Sequence, residues 1–357
     1  MNHYCTYFDR GFLIQGLALW RSLAAQDPDS VLWVLALDDF TATALREIGG
    51  TWMRTVTLAE LEAGDPALAA AKANRSRVEY YFTLSPCWPR WLLAKHPDMS
   101  RVTYVDADMY FFSSPECVFE DMDAAGASVL ITGHRFPVWQ RAHYERHGRY
   151  NVGILSFRRD AAGQGCLDDW RARCLEWCYD RLEDGKYADQ KYLDDWPARL
   201  GAALLVLEHP GVNLAPWNWR SRRCDVEAGA VTVGGWPLVL FHFARVRPLR
   251  GTWWWQSGQL DYGVMPWQLR NALYGPYARA LLAARAEVAA RYPGFDFPRQ
   301  GRRLARDFWR GLPLRLVFGS DWLCVGQTFI AGRLGLGRFS GRILSVLRNI
   351  FSRNGGR

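Results

Sequence analysis

Apolar and polar positions along the first two thirds of the chain follow two alternating rhythms. Tyr4 to Phe8 is a short strand candidate, and Leu17, Leu19, Trp20 and Leu23 mark a helix just after it. Val31 to Leu37, VLWVLAL, is an uninterrupted apolar run of the kind a strand buried on both faces requires, and Thr41 is placed to cap the helix that follows. SRVEYYFTLSPCWPRWLL predicts a helix broken at Pro86 and Pro89. RVTYVDADMYFF, ASVLITGH and YNVGILSF read as strands, and a helix is expected from Gly165 to Leu182. KYADQKYLDDW is a further helix or helical turn stopped at Pro197, and AALLVLE and PLVLFHF close the series as strands.

Strands alternating with helices predict an α/β fold, a mainly parallel sheet with helices on both faces. Ligands of such sheets sit at the carboxyl ends of the strands, where the polar residues considered below fall. After about Trp267 the pattern turns helical, Arg-rich and interrupted by Gly. The expected organisation is one large domain over residues 1–265 and a basic, mainly helical region over 266–357.

Charge sharpens that division. The net charge of the 357 residues is +8, yet residues 299–357 carry 12 Arg against Asp307 and Asp321, or +10, which leaves −2 for the rest. No nucleic-acid motif accompanies the basic tail, so an anionic lipid surface is the expected partner and nucleic acid is not. ILSVLRNIF, with Ile343, Leu344, Leu347, Ile350 and Phe351 at helical spacing, can form an amphipathic helix there, packed on the protein or laid on a membrane. Leu312 to Gly332 carries Arg315 and Asp321 and does not qualify as a span, which needs about 20 nearly uncharged residues. The eight cysteines lack a C-x-x-C pair, and the N-terminus runs directly into a strand without a leader pattern. The expected location is cytoplasmic, peripheral on the inner face of the membrane.

The sharpest chemical signal is Asp106 and Asp108. Two residues apart on extended chain, both carboxylates face the same way, and they leave a strand apolar enough to be buried. Two acids in that position repel unless a cation lies between them, and a hard divalent ion satisfies both while retaining open positions for a pyrophosphate. A bare Asp-x-Asp is common in turns; the strand in front of this one gives it weight.

Several segments, taken together and in order, resemble the GT-A fold nucleotide-sugar glycosyltransferases, most closely family 8, the glycogenin and lipooligosaccharide galactosyltransferase group. CTYFDRGFLIQGLALWRSL is similar to the family's opening strand and helix, YVDADMYFF to its metal motif and YNVGILSFRRD to its Asn-x-Gly strand. YADQKYLDDWP resembles its Asp-Gln helix and LFHFARVRP its terminal His-Phe segment, so the likeness spans roughly residues 3 to 250. The resemblance implies a GT-A, Rossmann-like catalytic domain over 1–265 that moves a sugar from a nucleotide diphosphate, UDP being the expected nucleotide, with retention of configuration. It implies that Asp106, Asp108 and His242 hold Mn2+, imidazole beside carboxylates suiting Mn2+ better than Mg2+. It implies that Thr6 and Tyr7 lie along the nucleotide, that Asn151 and Gly153 let the backbone approach the donor sugar, and that Asp189 and Gln190 line the reacting sugar. Arg77, or equally Arg75, resembles a basic donor contact, and Arg247, or Arg245, a diphosphate contact; the family's Lys-Pro-Trp is Arg-Pro-Leu here. The expected acceptor is a glycan or a lipid-linked sugar, as in polysaccharide or lipopolysaccharide assembly. Asn213, Trp217 and Trp219 of HPGVNLAPWNW either pack the core or wall a sugar, and TWWWQ is expected to expose at least one Trp. A sugar nucleotidyltransferase shares the ground plan but needs a Gly-rich basic loop where only Arg10-Gly11 stands; a silent, sugar-binding relative is the non-enzyme alternative.

Overall fold

The protein is seen in a computed structural model that describes residues 1–249, 254–256, 262, 265–295, 322–325 and 328–330. The chain divides into two compact units, Met1–Ala244 with Ala272–Pro298, and Arg245–Asn271 with Arg299–Arg357. The first begins with β1 (His3–Phe8), α1 (Leu13–Gln26), β2 (Val31–Ala36), α2 (Asp39–Ile48), β3 (Met53–Thr57), α3 (Leu58–Ala63), α4 (Pro66–Ala71) and α5 (Arg77–Lys95). It continues with β4 (Arg101–Val105), β5 (Met109–Phe111), α6 (Glu116–Ala124), β6 (Val129–Gly133), α7 (Ala142–His147), β7 (Tyr150–Arg158), α8 (Ala161–Glu176), α9 (Trp196–Leu200) and β8 (Leu204–Leu207). A small meander, β9 (Cys224–Glu227), β10 (Ala230–Val233) and β11 (Trp236–Pro237), precedes β12 (Leu240–His242).

The main sheet of the described residues has seven strands in the order β3-β2-β1-β4-β7-β6-β8. All neighbours are parallel except β7, which runs antiparallel to both β4 and β6. This is the α/β architecture expected of the family that the sequence resembles. β1 and β2 are buried on both faces because helices cover both, and Tyr4, Cys5, Val34 and Leu35 are inaccessible to solvent. Off the carboxyl end of β4, β5 pairs antiparallel with β12, which returns from 130 residues further along.

Four local expectations need correction. α5 runs unbroken through Pro86 and Pro89. Each proline costs roughly 3 kcal/mol in a helix interior, but α5 buries Leu84, Trp88, Leu92 and Leu93, each contributing about 1.5–3 kcal/mol, so packing wins. Pro197 starts α9 instead of stopping its predecessor, since a proline in the first turn lacks only an N–H that has no helical partner. The cap of α2 is Asp38, whose carboxylate accepts from Thr41 N, and Thr41 itself lies inside the helix. The helix expected from Gly165 begins at Ala161, because Asp160 accepts from Gly163 N, and it ends at Glu176.

The second unit contains β13 (Arg247–Leu249), β14 (Trp254–Gln256), and two strands that complete an antiparallel sheet, β15 (Trp322–Val325) and β16 (Thr328–Ile330). α10 (Trp267–Arg291) agrees with the helical pattern read after Trp267. In the first unit its Tyr277 ring stacks on Phe243 at 3.9 Å and Tyr274 meets Phe243 edge-on at 5.1 Å, which pins the apolar face of β12. The amphipathic segment at 343–351, the apolar stretch at 312–332, Trp253 and the side chain of Arg247 lie outside the described residues. No helix among the described residues is long and apolar enough to cross a membrane.

Candidate functional site

β4 ends at Val105, and the next residue is Asp106, held in place by its amide N–H donating to Gly153 O at 3.0 Å across the β4–β7 boundary. Asp108 immediately precedes β5. Because β5 pairs with β12 in the register His242↔Met109, the imidazole is delivered beside both acids. His242 Nε2 lies 3.1 Å from Asp108 Oδ1 and 3.6 Å from Asp106 Oδ2. Alternation along β12 turns Phe241 and Phe243 toward α10 and His242 to the opposite face.

The donor set fits a divalent cation. One ligand atom from each of Asp106, Asp108 and His242 falls within 4.8 Å of the others. An ion with bonds of about 2.0–2.6 Å can reach all three, since its opposed ligands are separated by up to roughly 5 Å. Asp106 keeps 30% of its side-chain surface open and His242 only 8%, so the group is rooted in protein with one edge accessible. Electrostatics agrees. Burial raises the Asp106 pKa, His242 partly offsets this, and the charge of Asp108 raises it again. Burial disfavours the His242 cation, but the two carboxylates overturn that and raise its pKa. Two acids competing for one imidazole is an arrangement that a metal ion relieves.

Around Asp106 the structure adds residues that sequence reasoning did not find. Tyr104 donates its hydroxyl to Asp106 Oδ1 at 2.7 Å. Tyr7, from β1, hydrogen-bonds Ser85 of α5 at 2.9 Å. Tyr7 and Tyr104 rings lie 5.7 Å apart. Tyr104 opens the YVDADMYFF segment but has no role assigned there, and no motif marks Ser85 in the middle of α5. Asp189 is buried, and burial drives its pKa up to about 7, with the charge of Asp106 raising it further.

On the other side stands a neutral network. Asn151 Nδ2 donates to Gln190 Oε1 at 3.1 Å and lies 3.3 Å from His134 Nε2; its Oδ1 accepts from Gly153 N and from Asn213 Nδ2, both at 3.0 Å. Asn213 Nδ2 also donates to Thr132 Oγ1 at 2.7 Å, and Gln190 Nε2 donates to His147 O at 2.8 Å. His134 Nδ1 lies 3.0 Å from Gly148 O, so that nitrogen carries the proton and Nε2 accepts from Asn151. Burial lowers the His134 pKa to about 3, and the ring is neutral. Gly153 has no room for a side chain: a Cβ there would sit 2.5 Å from both Asn151 Oδ1 and Met109 Cε and 2.9 Å from His242 Nδ1.

Asp106, Asp108, Asn151, Gly153 and His242 are therefore contiguous, with Gln190 joined through Asn151 and Asp189 next to it in sequence. Thr6 is fully buried in β1 and its Oγ1 has no hydrogen-bond partner among the described residues. Arg77 opens α5, is largely exposed and lies 4.0 Å from Asp9. Its alternative, Arg75, is buried and donates to the Cys174 and Leu175 carbonyls at the end of α8. Arg247 is in β13, and the alternative Arg245 lies beside Tyr262. Trp217 is buried, donates to His134 O at 3.0 Å and meets the His242 ring edge-on at 5.2 Å; Trp219 is buried too.

Comparison with known proteins adds the following. No family profile matches the chain. It is 32% identical over 249 residues to the uncharacterized protein YfnF of Bacillus subtilis (strain 168), covering 68% of this chain and 81% of that one. It is 29% identical over 244 residues to YfnD of the same organism, also uncharacterized, covering 68% and 77%. Among solved structures it is similar to the galactosyltransferase LgtC with donor and acceptor sugar analogs, at 16% identity, TM-score 0.48, and 70% and 89% coverage. It is similar also to mouse xyloside xylosyltransferase 1, at 15% identity, TM-score 0.46, and 70% and 99% coverage.

Proposed function

Since the chain belongs to the same family as the Bacillus subtilis protein YfnF, itself uncharacterized, its activity has to be argued from its site, and we propose that it is a metal-dependent glycosyltransferase. The donor is a nucleotide-diphosphate sugar, with UDP as nucleotide, and the acceptor a glycan or lipid-linked sugar. The observation that carries this reading is the Asp106–Asp108–His242 group at the carboxyl end of β4.

Asp106, Asp108 and His242 would hold Mn2+, which supplies positive charge to the diphosphate as the sugar–phosphate bond breaks. Asn151 and Gly153 would let the β7 backbone lie along the donor sugar, and the missing Cβ at Gly153 lets Asn151, Met109 and His242 close in on one another. Gln190, fixed by Asn151 and by the carbonyl of His147, lines the ring without having to reorganise. Asp189 faces the positive charge that develops on the anomeric carbon. Arg77 would meet the phosphates and Tyr7 the nucleotide side of the site. An acceptor hydroxyl attacks the anomeric carbon from the leaving-group side, which retains configuration, and a leaving-phosphate oxygen takes its proton. The basic residues of 299–357 suit an anionic membrane on which a lipid-linked acceptor is presented, placing the enzyme at the cytoplasmic face.

The test is turnover of nucleotide sugars by the full chain with Mn2+ and with chelator, wild type against Asp108→Ala. Metal-dependent turnover that falls about 1,000-fold in the variant is expected. Turnover by Asp108→Ala at the wild-type rate, or no turnover of any nucleotide sugar by wild type, sinks the reading.

A further inference from the structure

After Met1, Val138 and Trp139 are the most exposed large apolar side chains among the described residues, at 69% and 65%. They stand side by side at the tip of the loop that leaves the carboxyl end of β6, and together they forgo burial that an apolar surrounding would give them. The tip is not slack. Pro137 precedes it, Gln140 N donates to Pro137 O at 2.8 Å, and the Tyr144 hydroxyl donates to Phe136 O at 3.3 Å. The Arg220 guanidinium lies 5.8 Å from the Trp139 ring centre and 5.2 Å from that of Trp219, which is buried. The exposed indole is thus tied to the body of the protein through a cation.

Charge around the tip is almost all of one sign. Residues 134–149 hold four Arg against Glu145 alone, and residues 213–224 hold three Arg and no acid. Arg223 pairs with Asp225 at 2.9 Å, and Arg135 is spent on the carbonyls of His209 and Asn213. Arg141, Arg220 and Arg222 are exposed and have no acid partner among the described residues. The patch also borders the candidate site. Phe136 stacks on His134 at 4.7 Å, and Trp217 joins that pair to the His242 ring, which it meets at 5.2 Å.

We propose that Val138 and Trp139, flanked by Arg141, Arg220 and Arg222, form a wedge that docks on an anionic lipid surface. The valine and the indole enter at headgroup level, and the guanidiniums meet lipid phosphates. A sugar stacked on Trp139 would call for carboxylates or amides reaching its hydroxyls, whereas a bare valine and cations flank this indole. The wedge is an attachment separate from the basic residues of 299–357. On the glycosyltransferase reading, which the inference extends to the source of the acceptor, it holds a lipid-linked sugar at the edge of the site; the docking itself does not depend on that reading.

Vesicle binding by the full chain tests it, with phosphatidylcholine vesicles containing phosphatidylglycerol against phosphatidylcholine alone. Trp139→Ser weakens binding to the anionic vesicles about tenfold. Arg141→Ala combined with Arg222→Ala weakens it about 25-fold, each cation near the surface being worth about fivefold. A local readout separates the wedge from any other attachment. A nitrobenzoxadiazole label on Val138→Cys, with the labelled unsubstituted chain as blank, brightens on anionic vesicles and is quenched by brominated lipid. The inference falls if the chain does not bind vesicles, if it binds them while the label stays unchanged, or if Trp139→Ser binds as wild type does. It falls also if the label answers to a soluble oligosaccharide and not to vesicles, which makes Trp139 a sugar platform. None of these measurements uses a nucleotide sugar, so they can fail while turnover stands, and turnover can fail while they hold.

Discussion

Asp106 and Asp108 bring two negative charges to a single imidazole, whereas Thr132, His134, Asn151, Gln190 and Asn213, one strand away, hold one another without any charge. The first group sets both carboxylates beside one imidazole nitrogen and leaves one edge open. The second is hydrogen-bonded throughout except at Asn213 Oδ1, and its histidine is kept neutral by burial. The contrast teaches how a binding site can be both reactive and rigid. Under the proposed function a cation would relieve the repulsion between the two acids of the charged half, while the neutral half fixes the geometry without charge.

Asp189 belongs to neither half, and breaking the contrast there has the largest effect on stability. Its folded pKa, about 7, lies above the ordinary carboxylate value, so ionisation opposes folding. That penalty is absent below about pH 4, grows as pH rises toward 7 and is complete above it. Asp189→Asn is therefore expected to stabilise the protein by up to roughly 4 kcal/mol at pH 8 and by much less at pH 4.5, with activity lost at both. Urea titrations at the two pH values check this; equal gains would show that Asp189 carries no such burden.

Emptying the neutral half comes next. Asn151→Ala leaves the Gly153 N–H, His134 Nε2 and an amide proton of Asn213 without their partner and is expected to cost about 3 kcal/mol at neutral pH. Thermal unfolding measures it, and a loss under about 1 kcal/mol would mean water replaces the amide. The smallest effect sharpens the charged half. Mn2+ at about 100 times its Kd should stabilise wild type by roughly 2.7 kcal/mol, and Asp106→Asn combined with Asp108→Asn should abolish that gain. If chelator and Mn2+ give one melting temperature, the group holds no metal.

The reading of the sequence reached the alternation of strands and helices, and with it the sheet, because buried parallel strands leave uninterrupted apolar runs such as VLWVLAL. It reached Asp106, Asp108 and His242, the acids from their spacing and the histidine only through the resemblance, since a pairing between β5 and β12 leaves no trace in local sequence. Ser85 and Tyr104 were invisible for a related reason. Their chemistry lies in which partner they face, and a serine in an aromatic helix or a tyrosine in an apolar strand looks like filler until the elements are packed. Pro86, Pro89 and Pro197 misled because local propensity was set against burial without knowing how much each helix would bury.

The β5–β12 pairing has a consequence for the life of the chain before it is finished. During synthesis the acids emerge from the ribosome more than a hundred residues ahead of the histidine and of the strand that presents it. A nascent chain arrested before β12 has only two of the three groups. Under the proposed function full cation capture would wait until residue 242 has left the ribosome, and an ion taken up afterwards would clasp the early and late parts of the polypeptide.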